Sequence, residues 1–401
     1  MEIWNRISYA VVFTFVILLV SLQTVRRSPN TIAFRQPTIR SLQSHLRNFT
    51  QSQQKNSDYS TPGVQPATHR PDNHTFKVLQ YTRFFVRWMP TGKTLFDGCE
   101  YSNCVLTIDK KELLASDALL FHLRTMGKLP TQRLPHQKWI AAVRESPVHV
   151  GVRAAHSALF NATATYSKRS DVLHPYGRII PGTMPTGQAR LSSNKTKMAA
   201  WIVSNCGTSS KREKYVAQLK KYMEVDVYGG CGKLKCPKTK GHGPEDPCLE
   251  MIERDYRFYF SFENSVCESY VSEKLYKVLF HDVVPVVLGG ADYKEMLPPN
   301  SYIDVANFSS PRLLAEYLHR VSNDDALYDS YFAWKSSFSV DVNFDKVFGC
   351  SLCEFMNRSY KKTTIVPSMG QFWSRKTYCQ GSAQYYSSFL NMSDPENSVF
   401  Q

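Results

Sequence analysis

The chain has 401 residues, with 49 Lys plus Arg against 34 Asp plus Glu, and ten cysteines. At roughly 100–200 residues per domain this length makes two or three domains. A content of 42% hydrophobic and 13% aromatic residues excludes a mainly disordered or collagen-like chain. One long apolar stretch excludes a polytopic transporter. The net charge of +15 draws anionic partners, but the basic residues form no stripe, so no nucleic-acid partner is expected.

Ile7 to Val25 is 19 residues without a charge, bounded by Arg6 and by Arg26 and Arg27. That length matches the ~20 apolar residues a helix needs to cross a bilayer. A cleaved signal peptide, with an apolar core of ~7–15 residues and an A-x-A-like site, fits less well. The expected organisation begins with a cytosolic tail at 1–6, a transmembrane anchor at 7–25 and a stem at 26–76. The stem is rich in Ser, Thr, Gln, Asn and Pro and lacks any period, so it cannot offset its ordering entropy. Asn-X-Ser/Thr occurs at Asn48, Asn73, Asn161, Asn194, Asn307, Asn357 and Asn391. Together with ten cysteines these sequons suit a glycosylated, oxidising lumen, hence a single-pass type II protein.

At Lys77 the composition shifts to β-branched and aromatic runs: VLQYTRFFVRW, CVLTI and ALLFHL. Short polar connectors between them suggest a parallel sheet with helices between the strands. Later, Ala199–Ser204 reads as a buried strand, Lys211–Met223 as a helix and Val225–Tyr228 as a strand, a βαβ unit. Arg257–Phe262 is another strand and Ser272–Phe280 a helix with Leu275, Val278 and Leu279 on one face. A further strand is expected at Val286–Leu288, starting after Pro285 because proline has no N–H for the ladder. The expected domains are 77–196, 197–348 and a C-terminal segment, 349–401, that packs back on the first domain. Two α/β halves imply a cleft between them, a usual place for a nucleotide-type ligand.

Phe262-Glu263-Asn264-Ser265 ends a strand, and Ser272-Glu273-Lys274 opens the next helix. Free N–H groups and the positive pole of such a helix suit a pyrophosphate; Lys274 adds a full charge, and Glu273 suits sugar hydroxyls. The plainer reading has Glu273 complementing the dipole and Lys274 solvated. The 31-residue stretch FYFSFENSVCESYVSEKLYKVLFHDVVPVVL, beginning at Phe258, resembles the donor-binding signature of the α1,3-fucosyltransferases. Further resemblance lies in Arg144-Glu145-Ser146-Pro147, Phe160–Tyr166 with Ser170-Asp171, Trp201–Cys206 with Arg212, and Cys350-Ser351-Leu352-Cys353. The pieces SNCG and CGKLKCP look most like the invertebrate branch.

The resemblance implies an α/β, GT-B-like fold of two Rossmann-like domains facing a cleft, the first for acceptor and the second for GDP-β-L-fucose. It implies Glu145 as the general base. The donor pocket would comprise Asn205, Arg212, Tyr259, Glu263, Asn264, Tyr270, Glu273 and Lys274, joined from the first domain by Tyr166. The reaction the resemblance implies is inverting transfer of L-fucose to the 3-hydroxyl of a GlcNAc in a glycoprotein glycan, at the Golgi membrane. One base suffices because GDP leaves readily, and cations balance the diphosphate. No strict Asp-X-Asp pair occurs, so no cofactor or metal is expected as obligatory. The resemblance also implies that Cys99 and Cys104 reach Cys350 and Cys353; spacing alone leaves zinc or disulfides open, and an oxidising lumen favours disulfides. A catalytically inactive, glycan-binding lumenal homologue is the alternative, opposed by the presence of Glu145, Arg212 and Lys274. Acceptor candidates are the innermost GlcNAc of an N-glycan and a GlcNAc in an antenna.

Overall fold

The computed structural model describes residues 74–84, 87–152, 156, 158–184, 195–236, 246–360, 362 and 365–401. The expected tail and anchor, nearly all of the stem, and Asn48, Asn73 and Asn194 lie outside them. Among the described residues no helix is long and apolar enough to cross a membrane. The fold is already under way before Lys77: His74 bonds Asp117 at 3.2 Å, and the first strand starts at Phe76.

The first half holds six strands: β1 Phe76–Gln80, β2 Cys104–Thr107, β3 Ala118–His122, β4 Lys138–Ala142, β5 Ala162–Thr165 and β6 Val172–Leu173. They pair in the order β2-β1-β3-β4-β5-β6, every pair parallel. β3 and β4 are buried at every position, which is why they read as continuous apolar runs rather than alternating ones. The expected helices between these strands are replaced, among the described residues, by short 3₁₀ turns such as Lys110–Ala115 and Leu123–Thr125.

β7, Arg178–Pro181, leaves this half and pairs antiparallel with β13, Phe338–Asp341. Between them the chain forms β8 Lys197–Ile202, β9 Val225–Tyr228, β10 Tyr256–Phe262, β11 Val284–Leu288 and β12 Ile303–Asp304. Their order is β12-β11-β10-β8-β9, again all parallel. Helix α1, Arg212–Leu219, crosses from β8 to β9; α2, Pro247–Asp255, precedes β10; α3, Glu273–Tyr276, follows it; α4, Pro311–Ser322, follows β12. α1 and α4 cover one face with Tyr215, Leu219, Leu314 and Leu318 against Trp201, Phe258 and Phe260. α2 covers the other with Leu249 and Ile252 against Ala200 and Tyr259. α4 shows the local logic plainly. Ser310 caps it by accepting from Leu313 N–H, Pro311 occupies the first turn, and Leu314, Ala315, Leu318 and Val321 form one buried stripe.

β11 includes Pro285, contrary to the expectation that it starts later. Leu288 C=O accepts from Glu263 N–H, so alternate residues 284, 286 and 288 face β10 and Pro285 faces the other side. There β12 begins only opposite Val286, and the missing N–H costs no ladder bond.

The helix layer that the first sheet lacks comes from the far end of the chain. Helix α5, Phe344–Arg358, packs Phe348, Leu352 and Met356 against Val78, Leu106, Leu120 and Val172. Disulfides Cys99–Cys350 and Cys104–Cys353 fix it there, closing loops of sequence separation 251 and 249. In the chain-entropy account the first such closure contributes roughly 5 kcal/mol, and the second adds little because its ends are already held close. Gly349 allows the contact: a Cβ there would sit 2.4 Å from Leu95 C=O. Beyond α5 the chain stays against the first half as far as Tyr378, with Met369, Trp373 and Tyr378 packed among Phe121, Trp139 and Tyr166, and then leaves it, contrary to the expectation for 349–401. Tyr385, Tyr386, Leu390 and Phe400 join the core of the second half. The remaining cysteines pair as Cys206–Cys231, Cys236–Cys248 and Cys267–Cys379, leaving none free.

Candidate active site

In a parallel sheet every strand ends at the same edge, and side chains just past those ends face a common space. From the first sheet this edge presents Arg144, Glu145 and Ser146 after β4, Tyr166 after β5 and Tyr176 after β6. From the second it presents Asn205 after β8, and Glu263, Asn264 and Ser265 after β10, with Arg212 at the start of α1 and Glu273 and Lys274 in α3. The two edges meet. Ser265 Oγ and Ser146 Oγ are hydrogen-bonded at 2.6 Å, the Tyr166 and Tyr270 rings lie 5.0 Å apart, and Gly177 admits Tyr276 where a Cβ would come within 2.6 Å of its Cγ.

Glu263 anchors the second wall. It is 1% exposed, accepts Ser272 N–H at 2.7 Å through Oε1, and is hydrogen-bonded to Ser272 Oγ at 2.9 Å through Oε2. Lys274 Nζ lies 3.5 Å from the same Oε2, 3.3 Å from Glu273 Oε1, and donates to Ser272 Oγ at 2.8 Å. Burial raises the Glu263 carboxyl, against the pull of Lys274. Burial works to lower Lys274, yet Glu263 and Glu273 raise it on balance, so it stays charged. Glu273 would be raised by burial, but Lys274 beside it holds it below the usual carboxylate value. Protein crowds Glu273, and its side chain is nevertheless 47% accessible, as befits a group on the floor of an open cleft.

Two expectations change here. Lys274 is not simply solvated: its side chain is 25% accessible and its ammonium is held by three oxygens. The helix is also shorter than Ser272–Phe280, with α3 giving way to a 3₁₀ turn at Val278–Phe280. Its first N–H groups are taken, Ser272 N–H by Glu263 and Lys274 N–H by Ser272 Oγ. The positive charge on this wall is therefore that of Lys274 and Arg212 rather than of a helix end. Arg212 is 3% exposed; its guanidinium donates to Phe262 C=O and, at 3.5 Å, to Asn205 C=O, while Nε is buried without a partner. Tyr259 is buried within the field of Lys274 and Arg212. Asn264 turns its Oδ1 to Ser265 Oγ, 3.0 Å away.

On the first wall Glu145 is half-buried, and no hydrogen bond or ion pair engages its carboxylate among the described residues. Burial raises the hydroxyls of Tyr166, Tyr176 and Tyr270, and Glu145 adds to the rise at each. Glu273 acts on Tyr176 and Tyr270 as well, so carboxylates of both walls converge on these rings. Tyr166 is buried with its hydroxyl unpartnered and its ring 5.3 Å from Trp373.

Nine of the ten residues expected at the site thus stand at the carboxyl edges of the two sheets or in the segments that follow them, and Tyr259 lies inside β10 under α2. Four others join them that sequence reasoning did not select: Arg144, Ser146, Tyr176 and Ser265. Arg144 stacks over Phe344 at 4.1 Å and Tyr176 at 5.0 Å, and Tyr176 donates to Arg144 C=O at 3.2 Å. Ser146 and Ser265 flank expected residues and were within reach of the sequence; nothing in the order of residues pointed to Tyr176. Among the described residues no three His, Cys, Asp or Glu side chains cluster as metal ligands.

Residues 73–177 match the family model described as fucosyltransferase, N-terminal, and residues 192–373 match glycosyltransferase family 10 (fucosyltransferase), C-terminal. The chain is 40% identical over 318 residues to α-(1,3)-fucosyltransferase C of Drosophila melanogaster, covering 70% of this chain and 72% of that one. It is 35% identical over 331 residues to 4-galactosyl-N-acetylglucosaminide 3-α-L-fucosyltransferase 9 of Rattus norvegicus, covering 76% and 89%. A crystal structure of an α1,3-fucosyltransferase with GDP superposes with a TM-score of 0.47 at 14% identity, covering 74% of this chain and 94% of that one.

Proposed function

The chain belongs to glycosyltransferase family 10, the fucosyltransferases, and from that premise we propose that it transfers L-fucose from GDP-β-L-fucose, with inversion, to the 3-hydroxyl of a GlcNAc in a glycoprotein glycan. The observation that carries this reading is the unpaired carboxylate of Glu145 on one wall of a cleft whose other wall holds Lys274 and Arg212. In this reading the two parallel-sheet halves are the two domains of a GT-B arrangement. Glu145 takes the proton of the acceptor hydroxyl as its oxygen attacks the fucose anomeric carbon. The bond from that carbon to the diphosphate breaks, and GDP departs with the electron pair. Lys274, kept charged by its glutamates, and Arg212, with a free Nε, offset the charge that grows on the diphosphate. Glu263 orders the loop through Ser272, and Glu273 faces the fucose hydroxyls. Tyr166, Tyr259 and Tyr270 wall the donor, with Asn205 and Asn264 at its rim. Positive charge from side chains makes undiminished activity in EDTA the expected result.

The protein would sit in the Golgi membrane by a type II anchor at 7–25 with its catalytic domain lumenal. The test is an assay of purified protein with GDP-fucose on N-glycan core, LacNAc and LacdiNAc acceptors, following GDP release and product linkage. Folded protein that binds a glycan yet releases no GDP with any of them would favour the inactive homologue instead.

A further inference from the structure

Residues 263–272 connect β10 to α3 and carry Glu263, Asn264 and Tyr270 of the second wall. A connection of that length, fixed only at its ends, samples many conformations, and a ligand that needs one of them must supply the ordering entropy. This loop is also held at its middle. Cys267, 1% exposed, is bonded to Cys379. The two backbones run antiparallel past the bond: Glu268 N–H donates to Tyr378 C=O at 2.7 Å, and Gln380 N–H to Val266 C=O at 2.9 Å. Gly290 lies against the same cysteine, so close that a Cβ there would stand 2.8 Å from Cys267 N. Two residues on, Ser269 has a φ of 58°. That is the left-handed region, which a serine seldom enters and keeps only where its surroundings fix it.

The partner side of the bond belongs to the C-terminal segment. Trp373, 1% exposed, lies 5.1 Å ring to ring from Tyr378 and 5.3 Å from Tyr166, and Tyr166 lies 5.0 Å from Tyr270. Tyr270 N–H donates to Cys267 C=O at 3.2 Å. The contacts therefore close on themselves, running from Cys267 through Cys379, Tyr378, Trp373 and Tyr166 to Tyr270 and back. Cys267, Tyr270 and Val271 spring from the second sheet yet share the apolar core of Phe121 and Trp139 in the first half. The C-terminal segment is already tied to that half through Cys350 and Cys353. What the Cys267–Cys379 bond adds is the loop.

We infer that Cys379, Tyr378 and Trp373 are positioning residues for the donor, holding the loop from Asn264 to Tyr270 in its working conformation before GDP-fucose arrives. The inference rests on the fucosyl-transfer reading above. Without the cross-link the loop is competent for only a fraction of the time, and apparent donor affinity falls by that fraction. Bound donor then selects the working conformation again, so turnover at saturation is kept. A bond that only stabilised the fold would lower the melting temperature and leave donor affinity of the folded protein as it was.

The experiment replaces both cysteines, Cys267→Ala with Cys379→Ala, in the full-length enzyme and measures kcat, the KM of donor and of acceptor, and GDP affinity by calorimetry, well below the melting temperature. Donor KM and the GDP Kd should rise about 10-fold, with kcat and acceptor KM within about threefold of the native values. Donor KM and GDP Kd within about twofold of native in the folded variant, or a fall confined to kcat, would overturn the inference. Hydrogen exchange on the native enzyme decides independently of whether that variant folds. Without nucleotide, the amides of 266–270 should already exchange slowly, and GDP should slow them little further. Fast exchange that GDP suppresses would show that the donor, and not the C-terminal segment, orders the loop. Native enzyme that binds no GDP-fucose overturns the fucosyl-transfer reading and this inference with it; native binding with an unaffected variant overturns this inference alone.

Discussion

Ser146 Oγ and Ser265 Oγ share a buried hydrogen bond of 2.6 Å that joins the loop after β4 to the loop after β10. Glu145 precedes one partner; Glu263 and Asn264 precede the other. The bond therefore fixes the position of the proposed base relative to the wall that carries the cations. Glu145→Gln keeps the shape and removes the basicity, so kcat should fall by at least about 10²-fold, the low end for general-base catalysis. GDP-fucose binding, read by calorimetry, should barely change, because Glu145 lies on the opposite wall. Ser265→Ala should lower kcat less than 10-fold, again with donor affinity retained. Near-normal turnover in Glu145→Gln would assign the proton to another group.

Lys274 shares a charge cluster with Glu263 and Glu273, its ammonium held by three oxygens. Lys274→Ala should reduce kcat/KM for GDP-fucose by about 1.5–3 kcal/mol in transition-state terms, the size of a charge-assisted contact. Lys274→Arg should restore only part of this, since a planar fork does not fill the place of a compact ammonium between three oxygens. Thermal melting of both variants separates a loss of donor contact from a loss of fold.

The described sequons divide by burial. Asn161 and Asn357 are each 8% exposed. Asn161 Oδ1 accepts from Trp139 N–H at 2.8 Å and from Arg133, and Asn357 Nδ2, the atom a glycan would occupy, donates to Asn103 Oδ1 and Cys353 C=O. Neither side chain can carry a glycan in this fold. Asn307 and Asn391 are exposed. Glycopeptide mapping of secreted protein should find sugar on these two and unmodified peptide at Asn161 and Asn357. Occupancy at Asn161 in active protein would show that this part of the first sheet packs otherwise.

His122 ends β3 and is 2% exposed. Burial, with Arg144 and Arg124 adding to it, lowers its pKa from 6.5 to about 4, and burial lowers His174 as well. The unfolded chain then binds the proton first. The contribution is fully present above pH 6.5 and is lost as pH falls toward 4, by about 3 kcal/mol for His122. Denaturant midpoints measured between pH 7.5 and 4.5 should fall across that window. A His122→Gln variant should show a shallower slope; an unchanged slope would place the acid sensitivity elsewhere.

Local chemistry determined much of this protein. The apolar runs of β3, β8 and β10 are buried on both faces, so their composition alone marks them as parallel strands, and the βαβ spacing from β8 to β9 follows from chain geometry. The stretch from Phe258 to Leu288 carries the family resemblance because its residues are neighbours in sequence as well as in space. What the tertiary structure decided is whatever depends on long-range proximity. The first sheet takes its covering helix from Phe344–Arg358, far along the chain, where Cys350 and Cys353 are tied to Cys99 and Cys104. Pro285 sits inside a strand because its neighbour starts one residue later. Ser272 N–H goes to Glu263 and Lys274 N–H to Ser272 Oγ, so the charge at the site resides in Lys274 and Arg212, without the helix pole that the sequence reading set beside them. Such outcomes turn on which groups meet across the fold, and period, propensity and capping register only groups that are close along the chain.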